Sequence, residues 1–270
     1  MKETLFLYID ILGFSEIIKS KEQVCRLYKI IDNARIHHDS NFNAIVFSDT
    51  IVAYNRHTNL SKKAKEVEVM YLIELTQELF SRLIGTNIFF RAVITEGEFF
   101  HNQLENLEAY YGAALVETYR AEKELSGTGL FLDRKLRDLN QIFRFKEFSS
   151  KFDYIFLTHM CSGLTPWLKR KVDDNEKPDY SEFPMPPELL THQALESMVY
   201  PELVHFREVY ENMNNHPEPK VREKYLTTWN MYSQAYPGLT RSLVEHKFDP
   251  NGMAHLDWSK AKEMYENERA

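Results

Sequence analysis

Residues 5–12 read Leu-Phe-Leu-Tyr-Ile-Asp-Ile-Leu, an almost unbroken apolar run with one acid inside it. A run of this length, ended by Gly13, is the pattern of a central strand covered on both faces, so the chain must build a sheet with layers on either side. The run is too short for a membrane span, carries Asp10 and lacks a small-residue cleavage site, which reads as a strand and not as a signal or anchor. Asp10 is its awkward member. A carboxylate in a buried strand is costly unless it is paired, hydrogen-bonded or bound to a metal.

The segments that follow alternate in type. Helix starts near Ser15 or Ser20, where Ser20 with Gln23 makes a capping box and Val24, Leu27, Tyr28 and Ile31 share one face. Ala44–Phe47 and Thr50–Tyr54 are short strand-like pieces separated by Ser48-Asp49, a tight hairpin with an acid at its turn. Ser61 opens a long helix to about Ile84, with a stripe at Val69, Leu72, Ile73, Phe80 and Leu83 and a stop at Gly85. Ile88–Thr95 is a strand, and Gly97 suggests a turn into Glu98–His101. Gly112–Leu125 reads as helix, and Gly129–Leu132 and Tyr154–Thr158 as strands. The order β-α-β-β-α-β predicts an α+β, ferredoxin-like (split βαβ) layer of helices on one sheet.

The texture changes after about residue 160. Prolines and charges over 163–187 predict a loop or linker, and from Pro186 onward the chain reads as mainly helical, with breaks near Pro217–Pro219 and Pro237-Gly238. We therefore expect a domain over residues 1–160, then a linker and helical C-terminal extension over 161–270. The extension's aromatic residues (Tyr200, Phe206, Tyr210, Tyr225, Trp229, Tyr232, Tyr236) are expected to pack on the first domain or on another copy.

Charge narrows the partners. A net charge of −7 over 270 residues provides no general attraction to nucleic acid or anionic lipid, so neither is an expected partner and a phosphate ligand must be held locally. Cys25 and Cys161 are isolated, which fits a reducing compartment and a cytoplasmic address. There is no Walker A loop, G-x-G-x-x-G or G-x-S-x-G, and His37-His38 and His159-x-Cys161 lack the spacing of a closed zinc site.

The β-α-β-β order sets the hairpin beside the first strand, so Asp10 and Asp49 come from neighbouring strands. Two such carboxylates make a hard oxygen site suited to Mg²⁺ or Mn²⁺, which keep waters and share substrate phosphates. The alternative is that Asp10 pairs with Arg91 and Asp49 is a turn residue only.

Four segments extend this pair: Tyr8-Ile9-Asp10-Ile11-Leu12-Gly13-Phe14-Ser15, Phe47-Ser48-Asp49-Thr50-Ile51-Val52-Ala53, Arg91-Ala92-Val93-Ile94-Thr95-Glu96-Gly97-Glu98, and Tyr111 through Glu122 with Gly112 near its start. In this order they resemble the catalytic domain of class III nucleotidyl cyclases, over roughly residues 4–135. The resemblance implies that Asp10 and Asp49 hold two divalent cations, Mn²⁺ or Mg²⁺, with the Ile11 carbonyl as a further ligand. It places Gly13, Phe14 and the following helix start against the triphosphate. It matches Arg120, eight residues after Gly112, to the arginine that stabilises the transition state; a plain helix arginine paired with Glu117 or Glu124 is the alternative.

The departures are as informative. The family's asparagine is Val116 here, its purine-reading lysine falls near Asn43, and its other base reader falls at Ala113. The short phrases Asp-Ile-Leu-Gly-Phe, Phe-Ser-Asp-Thr-Ile-Val and Gly-Ala-Ala-Leu-Val-Glu-Thr-Tyr are most similar to the bacterial Pycsar branch, whose members make cyclic pyrimidine nucleotides as antiviral signals. The resemblance thus implies a homodimer with shared sites that cyclises a pyrimidine nucleoside triphosphate, UTP before CTP. A purine cyclase and a non-catalytic, dimeric nucleotide-binding module are the alternatives.

Overall fold

The computed structural model describes residues 3–38, 40–57, 60–158, 192–253 and 258–267. They divide into two compact units, one formed by residues 1–83 and 88–157 and the other by 84–87 and 158–270. The expected linker over 163–187, with His159 and Cys161, lies outside the described residues.

The first unit runs β1 (Glu3–Ile11), α1 (Phe14–Ile17), α2 (Lys21–Asp32), β2 (Phe42–Phe47), β3 (Thr50–Asn55), α3 (Lys62–Leu83) and β4 (Phe90–Glu98). These four strands lie in the order β2-β3-β1-β4, each antiparallel to its neighbour. Each helical connection therefore joins two strands with a third inserted between them, which is the split βαβ arrangement of a ferredoxin-like layer. A hairpin of β5 (Phe100–Gln103) and β6 (Glu108–Tyr111) follows, then α4 (Ala113–Glu124) and β7 (Gly129–Asp133), which pairs parallel to β4. The strands β8 (Phe145–Glu147) and β9 (Phe152–Ile155) complete a seven-stranded sheet in the order β2-β3-β1-β4-β7-β9-β8.

Local chemistry accounts for the early elements. The Ser20 hydroxyl accepts from the Gln23 N–H at 3.3 Å and caps α2, as the capping pattern predicts. The Ser61 hydroxyl does the same for the Ala64 N–H at the start of α3. Gly85, with φ of 80°, follows the end of that helix. Residues Leu5 to Ile9 are all buried, so β1 is covered on both faces. Phe6 and Tyr8 share a cluster with Val52, Tyr54, Phe99 and Ala114, which assigns α4 to the face that also carries Asp10.

Gly97 is not a turn residue. It lies inside β4, where a Cβ would sit 3.4 Å from Ala114, so it lets α4 approach the strand closely. The short strands β5, β6 and β8 were not legible as separate elements in the sequence.

Among its described residues the second unit holds α5 (His192–Asn215), α6 (Pro219–Ala235), α7 (Pro237–Glu245), α8 (Pro250–Met253) and α9 (Ser259–Asn267). Its breaks fall at the prolines read from the sequence, which are favoured in a first turn; Pro201 is the exception, inside α5. The aromatic residues pack on each other: Phe206 on Tyr232 at 4.8 Å, Tyr210 on Trp229 at 5.0 Å and on Phe248 at 5.2 Å. They form this unit's own core. Among the described residues no helix is long and apolar enough to cross a membrane.

His205 is buried in this core against Phe206 and Tyr232, and burial lowers its imidazole from the ordinary value to about 3. The folded state thus keeps His205 neutral while the unfolded chain takes up a proton below about pH 6.5. The stability from a neutral His205 is complete above pH 6.5 and falls as pH drops from there toward 3, by up to about 1.4 kcal/mol per pH unit. Urea midpoints measured between pH 7.5 and 5 (a range of about 2.5 units) should fall more steeply for the native chain than for His205→Leu.

Candidate functional site

The β1–β3 register sets Asp10 opposite Thr50. The next rung is formed by the turn itself: the Ile11 N–H donates to the Asp49 carbonyl at 2.9 Å. Asp49 therefore stands in the turn beside Ile11, one position along the ladder from Asp10 on β1. Each is half-buried, accessible to a ligand yet seated on a buried sheet.

The hairpin that presents Asp49 has a two-residue turn, with Phe47 paired to Thr50. Its first turn residue, Ser48, has φ of 55°. A left-handed conformation costs a residue with a Cβ about 1–2 kcal/mol. Two side-chain contacts flank the turn. The Tyr28 hydroxyl on α2 donates to the Ser48 carbonyl at 2.9 Å, and the Tyr8 hydroxyl lies 3.5 Å from Thr50 Oγ1. A neutral hydrogen bond of the first kind contributes about 0.5–1.5 kcal/mol, close to the cost of the Ser48 conformation.

Beyond Asp10, β1 ends with the Leu12 N–H donating to the Phe89 carbonyl at 2.8 Å. Gly13 then turns the chain with φ of 72° and accepts the Glu16 and Ile17 N–H groups at 2.9 and 3.2 Å, opening α1. A Cβ at Gly13 would meet nothing within 4 Å, so glycine is needed there for its backbone conformation and not for space. Phe14 follows directly and is half-buried.

Arg91 is buried at the β4 position opposite Asp10, and its Nε donates to the Gly127 carbonyl at 3.2 Å. Register thus makes Arg91 a neighbour of Asp10, as the alternative reading required. The Asp49 main chain continues the β1–β3 ladder through its carbonyl, which leaves its carboxylate out of that contact.

Arg120 lies on α4, whose start is set by Gly112. Gly112 has φ of 148°, and a Cβ there would collide with the Glu98 carbonyl and approach Phe99 Cα to 2.7 Å. Ala114, Thr118 and Ala121 face the sheet and are buried, while Ala113, Val116, Tyr119 and Arg120 are exposed. Glu117, one suggested partner for Arg120, has Lys151 Nζ at 3.5 Å.

Asn43 is at the far end of the hairpin, opposite Tyr54. Burial raises the Tyr54 phenol above its ordinary range, against the pull of a hydrogen bond from Asn43. The Tyr54 hydroxyl is also 2.7 Å from His101 Nδ1, and the His101 ring stacks on Tyr110 at 4.5 Å. Glu108 Oε2 lies 3.4 Å from His101 Nε2 and accepts from the Tyr110 hydroxyl, which pushes Tyr110 up to about 12 and holds Glu108 low. This chain of polar groups sits four residues along β3 from Thr50, about 13 Å away on the same sheet face. It and Tyr28 were missed in the sequence. The one available signal was Asn106 at the tip between Leu104 and Leu107, where the Leu104 N–H bonds to the Leu107 carbonyl.

Among the described residues no three His, Cys, Asp or Glu side chains gather as a closed metal cage would require. Two carboxylates and a main-chain carbonyl fit Mg²⁺ or Mn²⁺ all the same, since these ions take one or two carboxylates and complete their shells with water and phosphate oxygens. His37 does not serve such a site, because its Nε2 meets the Ile31 carbonyl at 3.0 Å at the end of α2.

No protein-family model and no curated protein sequence matches this chain. Among solved structures it is similar to the adenylyl cyclase CyaB from P. aeruginosa, at 12% identity over 57% of this chain and 94% of that one, with a TM-score of 0.42. It is similar to the guanylate cyclase domain of RhGC from Catenaria anguillulae in complex with GTP, at 11% identity over 57% and 96% of the two chains, TM-score 0.43. A third is the monomeric guanylyl cyclase domain of the RhoGC fusion protein from Blastocladiella emersonii, at 11% identity over 57% and 95%, TM-score 0.43.

Proposed function

We propose that this chain is a nucleotide cyclase that converts a pyrimidine nucleoside triphosphate, UTP before CTP, to its 3′,5′-cyclic nucleotide and pyrophosphate, as a signal in bacterial antiviral defence. The observation that supports the reading is the Ile11 N–H to Asp49 carbonyl bond, which brings the turn that bears Asp49 against the end of the strand that bears Asp10. Asp10, Asp49 and the Ile11 carbonyl would hold two divalent cations, Mn²⁺ or Mg²⁺. When bound, these lower the pKa of the ribose 3′-hydroxyl and neutralise triphosphate charge.

The chain's own residues supply the rest. Gly13, Phe14 and the start of α1 would offer main-chain N–H groups to the phosphate oxygens. The 3′-oxygen forms a bond to the α-phosphorus as the bond to the bridging oxygen of pyrophosphate breaks, and the hydroxyl proton passes to solvent. Arg120 stabilises the charge that develops on the α-phosphoryl oxygens. It acts across the interface of a homodimer, on nucleotide held by Asp10 and Asp49 of the other copy. The exposed Val116 and Tyr119 beside Arg120 suit a face that a second copy covers. The pyrimidine preference rests on Asn43 and Ala113 standing where purine readers are expected.

The test is to incubate the purified protein with each of the four ribonucleoside triphosphates and Mn²⁺ and to identify the products by mass. Cyclic UMP, with cyclic CMP second, is expected. Cyclic AMP or GMP in excess would overturn the base assignment alone. Mn²⁺-dependent nucleotide binding without pyrophosphate release would overturn catalysis and leave a binding module, the reading that Val116 favours.

A further inference from the structure

We infer that Tyr28 is a positioning residue for the metal site: its hydroxyl holds the β2–β3 turn in the conformation that presents Asp49 beside Ile11. The inference rests on the reading of Asp10 and Asp49 as metal carboxylates and adds a residue that none of the four motifs contains.

The turn is held at three consecutive residues. The Asp49 carbonyl accepts the Ile11 N–H at 2.9 Å, and Thr50 pairs with Asp10 in register with the Tyr8 hydroxyl 3.5 Å from its own. Both contacts come from β1. Ser48 is the third residue, left-handed at φ of 55°, and the Tyr28 hydroxyl reaches its carbonyl at 2.9 Å from α2. The strain at Ser48 and this bond are comparable in size, so the bond offsets part of the cost of the turn's left-handed residue.

The placement of Tyr28 supports a specific task over simple packing. Leu27 and Ile31 on the same helix are 0% and 3% exposed, whereas Tyr28 is 36% exposed. Its hydroxyl meets a main-chain carbonyl twenty residues away in sequence. Phenylalanine would serve the helix face equally well and would leave the Ser48 carbonyl without this donor.

The experiment compares the native chain, Tyr28→Phe, Asp49→Asn and the double variant Tyr28→Phe/Ser48→Asn. Mn²⁺ binding is followed by electron paramagnetic resonance, and exchange of the Ile11 amide is followed in metal-free protein. Tyr28→Phe should weaken Mn²⁺ binding about 10-fold, as loss of a partner that orients a ligand does. It should speed Ile11 exchange and shift the thermal midpoint little. Ser48→Asn should restore much of the loss, since asparagine tolerates the left-handed region. Tyr28→Phe protein that binds Mn²⁺ and exchanges Ile11 as the native chain does overturns the inference while leaving the metal site standing, provided Asp49→Asn still loses binding. Equal binding by the native chain and Asp49→Asn overturns the metal reading itself, and with it the role of Tyr28.

Discussion

Asp49→Asn is expected to lower Mn²⁺-dependent nucleotide cyclisation at least about 10³-fold, some 4 kcal/mol of transition-state stabilisation. It should do so without unfolding the protein. The contact that seats the turn uses the Asp49 carbonyl and not its carboxylate, and asparagine is as acceptable in a turn as aspartate. The thermal midpoint should therefore stay within about 2 °C of the native value, well below the shift that loss of a buried contact produces. Asp10→Asn is a less clean probe, because Asp10 sits within a strand opposite buried Arg91. Mixing Asp49→Asn with Arg120→Ala extends the test to the proposed homodimer. If the two residues serve one site across the interface, equilibrated mixtures of these inactive proteins should recover about a quarter of native activity, since half the dimers are mixed and each keeps one intact site. No recovery after subunit exchange would place Arg120 in the same chain's site or outside it.

The second large effect is structural. Gly112→Ala should destabilise the first unit by about 3 kcal/mol, from overpacking and from a left-handed φ. The added Cβ would strike the Glu98 carbonyl and Phe99 Cα, which are main-chain atoms that no rotamer change can move aside. A midpoint lower by about 10 °C is expected in thermal unfolding. Gly97→Ala is the milder comparison, because its Cβ would meet Ala114 at 3.4 Å, the near limit of van der Waals contact, and its backbone is extended; a loss of about 1 kcal/mol is expected. Gly112 also fixes where α4 begins, so residual folded Gly112→Ala protein should lose activity through displacement of Arg120.

Much of the fold was legible because its signals are local. The apolar run around Asp10, the Ser20 cap and the Ser48-Asp49 turn each act over a few residues, and each took the predicted form. The breaks in the helical unit are likewise set by proline at fixed places. Gly97 was misread because a glycine that permits close packing and a glycine that turns the chain look alike until the opposing residue, Ala114, is known. The β5–β6 hairpin escaped notice because its strands are four residues each and its aromatic stacking pairs residues across a loop. The aromatic residues of the helical unit were identifiable as core material, but what they pack against was not.

The same division runs through the candidate site. Periodicity and turn chemistry alone determined that Asp10 lies inside a buried strand and that Asp49 sits on a hairpin, since both follow from residues within one turn or one pleat of each acid. Only the tertiary structure decided that Ile11 meets the Asp49 carbonyl, that Arg91 lies opposite Asp10, and that Tyr28 reaches the Ser48 carbonyl. These contacts join residues that are tens of positions apart, and their partners are chosen by strand order and helix docking, which no local pattern encodes.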